Sequence, residues 1–149
     1  MSAELASFLA GDRPDDVAIF LADTYVDDPE TLATRGVRVD GGVVLVVDGE
    51  RGRQVFDSIT GADAMGFARE AGAVEGEIAP DLAGGTCPED DGAGNETEDA
   101  THVTQFVFAF AEAENEEVGG IYAEGDVIHA YARCDCGAGY SHRWVAGER

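Results

Sequence analysis

The chain has 149 residues, a length typical of one domain, and its 44% apolar content is enough to build a hydrophobic core. Thirty-one acidic residues stand against nine basic ones, all of them arginine, which gives a net charge of −22. So few cations argue against DNA, RNA or an anionic membrane as a direct partner, because phosphate recognition needs a basic patch.

The N-terminal part of the chain predicts alternating helices and strands. A short helix is expected to be capped by Ser2 and closed by Gly11. Val17 to Ala22 is rich in strand formers and predicts a buried strand, with a helix as the alternative. Asp28-Pro29-Glu30 is typical of a helix start, and Arg35-Gly36 of its end.

A run of β-branched residues follows at Val43 to Val47 and predicts the clearest strand of the chain. Because such a run is typical of a strand covered on both faces, we expect it at the centre of a sheet. Asp48-Gly49 then leads into a helix from Glu50 to Thr60, and a further short helix follows Asp63.

The middle of the chain contains many glycines and few apolar residues. Within it, residues Glu89 to Ala100 are acidic and show no hydrophobic periodicity, which predicts a mobile acidic loop. No repeat and no clear linker are found, so we interpret this loop as an insertion within a single domain over residues 1–149.

The last third of the chain changes to strand patterns. Phenylalanine alternates with smaller residues after Thr104, and two segments, Val118 to Ala123 and Val127 to Arg133, flank a predicted tight turn. Residues 140–144 predict a final short strand. The predicted fold is therefore a single compact α+β domain, a mixed α/β N-terminal half followed by an antiparallel β-meander of about four strands.

The clearest candidates for metal binding or redox chemistry lie in the stretch ARCDCGAGYSHRW, which begins at Ala132 and contains two cysteines and a histidine. Thiolate and imidazole are the ligands that zinc prefers, and structural sites usually draw them from two chain segments. Cys134 and Cys136 would point to opposite faces of a regular strand, but a turn relaxed by Gly137 could bring both sulfurs together. Cys87, between glycines and a proline, would supply the third sulfur.

The fourth ligand of such a site would be a histidine. His142 is closest in sequence to the cysteine pair and is the predicted ligand. His102 is the first alternative, because it lies at the start of the strand after the Cys87 loop, and His129 is the second. The predicted structural zinc site consists of Cys87, Cys134, Cys136 and His142.

Two other interpretations of the cysteines remain open. Zinc knuckles mostly separate their cysteines by two residues, whereas one residue separates Cys134 from Cys136. All three thiols could be inert and partly buried. Alternatively, Cys134 and Cys136 could form a strained disulfide that Cys87 resolves, which would make the chain a thiol-based redox protein.

The N-terminal sequence indicates in which cellular compartment the protein is expected. MSAELASFLAGDRPDD carries acid where a signal peptide needs base, and its apolar run is too short to cross a bilayer. We therefore expect a cytoplasmic protein, in which an odd number of cysteines argues against a disulfide framework. No serine lies in a nucleophile-elbow pattern and no residue is predicted to be catalytic, so an enzyme is the less favoured class.

The distribution of charge indicates molar salt. Acidic pairs occur along the whole chain, and at about 1 M salt a Debye length of roughly 3 Å would screen their repulsion. Lysine, whose long stem exposes apolar surface, is absent. The chain resembles a small family of uncharacterised haloarchaeal proteins in the segments RPDDVAIFLADTYVDDPE, AMGFAREA, GGTCP, FVFAFAEAENEEVGGIYAEGDVIHAYARCDCG and RWV. That resemblance implies a halophilic origin, and it brings no activity, substrate or ligand that could be assigned to residues of this chain. The expected function is a zinc-stabilised accessory or interaction module, whose partner would be an unknown protein.

Overall fold

An antiparallel sheet of six strands forms the centre of the protein. The computed structural model describes residues 3–13, 15–26, 28, 30–31, 34, 36–39, 41–79, 81–88 and 103–146. The strands of the sheet are β1 (Asp16–Ala22), β2 (Val37–Val39), β3 (Gly42–Asp48), β6 (Thr104–Glu112), β7 (Val127–Cys134) and β8 (Gly139–Val145). Their order across the sheet is β2-β3-β1-β6-β7-β8, and every neighbouring pair is antiparallel.

Helices and a small hairpin cover the sheet. The helices are α1 (Ala3–Leu9), α2 (Gly49–Thr60) and α3 (Ala64–Ala71), and the hairpin consists of β4 (Glu77–Ile78) and β5 (Gly85–Thr86). The mixed N-terminal half and the C-terminal meander β6-β7-β8 confirm the predicted α+β class. Among the described residues, no helix is long and apolar enough to cross a membrane.

Two predicted helices begin at the aspartates that cap them, and the first also ends at its predicted glycine. Asp48 accepts a hydrogen bond from the backbone N–H of Arg51 at 2.9 Å and starts α2, which ends at Gly61 with a left-handed φ of 73°. Asp63 caps α3 in the same way, accepting from the N–H of Gly66 at 2.8 Å. Local capping chemistry was therefore sufficient to position both helices.

The β-branched run at Val43 to Val47 forms β3, but its predicted central position is wrong. β3 lies between β1 and the short edge strand β2, while β1 and β6 occupy the middle of the sheet. Coverage of both faces is nevertheless observed, since Val43 and Val44 point to opposite faces and are each fully buried. Burial on both faces therefore did not require a central position.

The predicted strand over Val118 to Ala123 is also wrong. A short 3-10 helix occupies Gly120–Ala123, and the meander consequently has three strands. Gly119 and Gly120 adopt φ values of 78° and 59°, a left-handed conformation that interrupts an extended chain.

The sheet carries a hydrophobic cluster on each face. On one face, the rings of Phe56 in α2 and Phe67 in α3 pack at 5.3 and 5.2 Å against Phe106 of β6. On the other face, α1 and the β4–β5 hairpin cover the sheet, and this second cluster includes Cys87 and Cys134. The two cysteines are thus part of the core rather than of an exposed loop.

Some predictions fall outside the described residues. These are the cap at Ser2, most of the helix expected after Asp28, the acidic loop Glu89 to Ala100, and His102. They stay predictions.

Candidate metal centre

The turn between β7 and β8 positions two of the three cysteines. Cys134 ends β7; its N–H donates to the carbonyl of Ala138, and its carbonyl accepts from the N–H of Gly137, both at 2.9 Å. Gly137 has a left-handed φ of 96°, which closes a tight hairpin turn around Cys136. The predicted turn relaxed by glycine is therefore confirmed.

A segment that runs beside β8 carries the chain toward the third cysteine. Ser141 of β8 donates its N–H to the carbonyl of Val74 at 2.8 Å and accepts from the N–H of Gly76 at 2.9 Å. A Cβ at Gly76 would lie 2.5 Å from Cδ2 of Tyr140. The segment therefore approaches β8 so closely that only glycine fits there.

The β4–β5 hairpin completes this approach. Gly85 in β5 lies against the same tyrosine, since a Cβ there would be 2.7 Å from the Tyr140 hydroxyl and 2.5 Å from the carbonyl of Glu77. β5 ends at Thr86, so Cys87 follows directly and is placed beside the β7–β8 turn.

The three sulfur atoms form one group. Cys87, Cys134 and Cys136 have Sγ atoms that all lie within 4.8 Å of one another, and those of Cys87 and Cys136 are 3.7 Å apart. Cys87 and Cys134 are buried, whereas Cys136 is exposed. Among the described residues these three sulfurs are the close group of metal-ligand atoms, and they could hold a metal ion.

The surroundings of Cys134 disfavour a bare thiolate. Burial raises the pKa of the Cys134 thiol well above its ordinary value, and its sulfur contacts with Cys136 and Cys87 act in the same direction. A backbone hydrogen bond from Cys136 opposes them. Burial likewise raises the pKa of Tyr140, whose hydroxyl lies 3.3 Å from Oγ1 of Thr104. A bound cation would reverse this balance by stabilising the thiolates.

Asp135, which the sequence did not single out, organises the turn. The Sγ of Cys134 donates to its Oδ1 at 3.5 Å, and the N–H of Val103 donates to the same oxygen at 3.1 Å. The backbone N–H of Asp135 in turn donates to the carbonyl of Val103 at 2.9 Å. The sequence feature that could have indicated this role is the aspartate between the two cysteines. Aspartate is common in turns because its side chain accepts hydrogen bonds from nearby backbone N–H groups.

His142, the predicted fourth ligand, contacts the segment that leads to Cys87. Its Nδ1 lies 3.2 Å from the backbone nitrogen and 3.3 Å from the carbonyl oxygen of Ile78, and its ring packs edge-on against Trp144 at 5.2 Å. Within the described residues, His142 is not part of the close sulfur group. Its side chain instead joins β8 to the hairpin.

The other two histidines differ in position. His129 lies on the face of β7 opposite Cys134, where it stacks on Phe110 at 5.2 Å and pairs with Glu112 at 2.9 Å. His102 is outside the described residues, and its peptide bond joins it to Val103, whose backbone is bonded to the β7–β8 turn.

Comparison with known protein families gives a match over most of the chain. A family model described as "Family of unknown function (DUF5807)" matches residues 36–147, a range that includes all three cysteines and all three histidines. Neither the curated proteins nor the solved structures gave a match.

Proposed function

The chain belongs to this family of unknown function, and we propose that it is a zinc-stabilised accessory or interaction module in which Cys87, Cys134 and Cys136 bind one zinc ion. The observation that carries the proposal is the convergence of three sulfurs from two hairpins. Chain segments 49 residues apart supply Cys87 and Cys136. Structural zinc sites are typically assembled in this way.

The sulfur spacing supports zinc. Tetrahedral coordination with Zn–S bonds of about 2.3 Å separates two sulfur ligands by about 3.8 Å. The Sγ atoms of Cys87 and Cys136 are 3.7 Å apart, so an ion could enter with little movement of either side chain. A set of thiolates, completed by an imidazole, also selects zinc over calcium or magnesium, which prefer oxygen.

We propose His142 as the fourth ligand and His102 as its competitor. His142 would bind zinc through Nε2, because Nδ1 contacts the backbone of Ile78, and metal-bound histidines commonly use the other ring nitrogen in this way. His102 is supported by covalent connectivity, since it precedes Val103, whose backbone contacts Asp135 between the two turn cysteines.

The proposed ion would stabilise structure rather than catalyse a reaction. Two of the three sulfurs are buried in the same hydrophobic cluster as Ile78 and Tyr140. Zinc would therefore link the β4–β5 hairpin to the β7–β8 turn, and part of its binding free energy would become folding free energy. Four protein ligands would leave no open position for a substrate.

A thiol-based redox protein is the alternative, and one observation favours it. Cys136 is exposed and its sulfur contacts that of Cys87, so an oxidant could reach a pair that is nearly in place for a disulfide. The contact would have to shorten to about 2.05 Å. The alternative based on Cys134 and Cys136 would require a strained bond within a tight turn, and the fully buried Cys134 is the less reactive thiol.

We also propose that the protein works in the cytoplasm of a halophile. A net charge of −22 without a single lysine supports this setting. A protein partner of the module would present basic or neutral groups, because acidic surfaces repel one another.

Metal content tests the zinc proposal. The protein is purified in molar potassium chloride with thiols trapped at harvest, and its zinc content and intact mass are measured. We expect close to one zinc per chain and its loss on replacing Cys87, Cys134 or Cys136 with serine. Thr86→Ser, an exposed change next to Cys87, is the matched control and should leave the zinc content unchanged.

The same samples identify the alternative. A metal-free chain about 2 Da lighter than its reduced form would contradict the zinc site and support a disulfide. Peptide mapping would then show whether Cys87 or Cys134 is bonded to Cys136. A metal-free chain of full reduced mass would contradict both functions.

A further inference from the structure

An open cavity of about 820 Å³ lies beside the strands β7 and β8, between their side chains and the chain that follows α3. Its volume is in the range of small-molecule sites. We propose that this cavity binds a small organic anion in which a carboxylate is attached to a planar ring. His129, Tyr131 and Arg143 would contact the ligand. His142, the proposed fourth zinc ligand, also lines the cavity but is not one of the proposed ligand contacts.

Arg143 would bind the carboxylate. Its Nη1 donates to the Tyr122 hydroxyl at 3.3 Å, and its guanidinium carbon lies 5.7 Å from the centre of the Tyr122 ring. Within the part of the chain that the structure describes, no carboxylate oxygen lies within 4.0 Å of this guanidinium. Arg143 lines the cavity and, within the described residues, is not ion-paired, so its guanidinium is suited to binding an external carboxylate.

Aromatic rings beside Arg143 would bind the planar part. The rings of His129 and Tyr131 both line the cavity, are inclined by 6° to each other and have centres 6.4 Å apart. Phe110 supports both rings from the neighbouring strand, at 5.2 Å from His129 and 5.8 Å from Tyr131. Such a wall of nearly parallel rings favours a flat ligand over a bulky aliphatic one.

The hydrogen bonds of His129 leave one ring nitrogen for the ligand. Its Nε2 lies 2.9 Å from Oε1 of Glu112, which accepts the proton, and 3.3 Å from the Tyr122 hydroxyl. Burial lowers the pKa of His129, so the neutral ring predominates and Nδ1 carries a lone pair. An N–H or O–H group on the ligand ring could donate to that nitrogen.

The remaining walls set the shape and charge of the site. Gly72 and Gly76 lack side chains and keep the opening wide, while Ile121 offers an apolar edge. Glu75 also lines the cavity and would repel a second negative charge. A monoanion therefore fits better than a phosphate or a dicarboxylate.

Three probes of similar size test the ligand class on the full chain in molar potassium chloride. Benzoate has both proposed features, cyclohexanecarboxylate lacks the planar ring, and benzylamine carries the opposite charge. Titration is followed by the backbone amide signals of residues 129–131 and 141–143. We expect benzoate to shift these signals with saturation, cyclohexanecarboxylate to bind more weakly, and benzylamine to leave them unchanged.

Two arginine variants test the proposed contact. Arg143→Gln should weaken benzoate binding at least about tenfold, the effect of losing a charge-assisted hydrogen bond. Arg133→Gln, an exposed change on β7 outside the cavity lining, should not. Cys136→Ser should weaken benzoate binding less than Arg143→Gln does, because Cys136 does not line the cavity and the proposed zinc ligand His142 is the residue that the cavity shares with the metal centre. The proposal is overturned if benzoate does not bind, if benzylamine binds in its place, or if Arg143→Gln has no effect on affinity.

Discussion

The Sγ atoms of Cys87 and Cys136 lie 3.7 Å apart although 49 residues separate them in the chain. Cys87 follows β5, which pairs with β4, and the chain before β4 is hydrogen-bonded to β8 through Val74 and Gly76. Cys136 lies within the β7–β8 turn, which has its own backbone hydrogen bonds. The fold therefore places the two sulfurs next to each other. A metal ion bound to both sulfurs would close the long loop of chain that lies between the two cysteines.

Removing metal should lower the stability of the protein. An ion that binds the folded state alone stabilises it by about 2.7 kcal/mol at a concentration one hundred times its dissociation constant. We expect a chelator to lower the denaturant midpoint of the wild-type chain and added zinc to restore it. Cys136→Ser should show the lower midpoint in both conditions. An unchanged wild-type midpoint would contradict a structural metal.

The fourth ligand should be found by comparing histidine variants. If His142 is the ligand, His142→Asn should weaken zinc binding strongly, because asparagine can keep the contact with Ile78 but lacks Nε2. His102→Asn should then have little effect, and the reverse result would identify His102. His129→Gln is the control, since His129 lies on the opposite face of β7. Zinc affinity is measured by competition with a chromophoric chelator.

The β7–β8 turn could be predicted because its causes are local. Two cysteines at a strand end and a glycine that accepts a left-handed φ lie within a few residues, and the structure shows this turn. Cys87 was predicted as the third sulfur from its glycine and proline neighbours, but the path that brings it to the turn could not be predicted from them. That path depends on the close approach of Gly76 and Gly85 to Tyr140, and such long-range contacts have no signature in local periodicity.

The order of the strands in the sheet could likewise not be predicted from the sequence. The run at Val43 to Val47 correctly indicated burial on both faces, but burial does not distinguish a central strand from one next to a short edge strand. The strand expected over Val118 to Ala123 does not form, because Gly119 and Gly120 both adopt positive φ angles. The predicted ligand His142 pairs through Nδ1 with the Ile78 backbone, a contact that spacing alone did not indicate.

Substitution of Gly76 should disturb the packing of the segment that leads to Cys87. A Cβ there would lie 2.5 Å from Cδ2 of the fully buried Tyr140, so Gly76→Ala should destabilise the fold by about 1–3 kcal/mol, as overpacking does. In Gly66→Ala, within α3, the nearest atom is Oδ2 of the helix cap Asp63 at 3.3 Å, so only a small shift is needed and the change should cost less than Gly76→Ala. Denaturant unfolding of both variants measures the difference. Equal midpoints would show that the segment can move away from the tyrosine.

His129 should make the protein less stable in mild acid. Burial, the largest effect, lowers the pKa of His129 below its ordinary value of 6.5, while Glu112 opposes the shift. The unfolded chain therefore takes up a proton before the folded chain does, and stability falls as the pH decreases through about 6.5 toward the folded-state pKa.

The variant His129→Gln isolates this effect. Glutamine can still donate to Glu112 but does not titrate, so the variant should lose less stability than the wild type between about pH 7.5 and pH 5.5. Unfolding of both proteins is measured without metal, so that zinc release does not contribute to the difference in stability. The salt concentration is the same, so that carboxylate titration contributes equally in the two proteins. Identical losses for the two proteins would exclude His129 as a source of acid sensitivity.

Lowering the salt concentration should unfold the chain. At about 1 M salt the Debye length is roughly 3 Å and neighbouring surface charges are screened, whereas at about 0.1 M it is roughly 10 Å and the net charge of −22 repels itself. Circular dichroism against potassium chloride concentration, with zinc kept constant, measures the transition. Replacing the exposed Glu116 and Glu117 with glutamine removes two charges and should move the midpoint to lower salt, while Thr86→Ser should not. Full secondary structure in dilute buffer would show that the acidic surface is not an adaptation that requires salt.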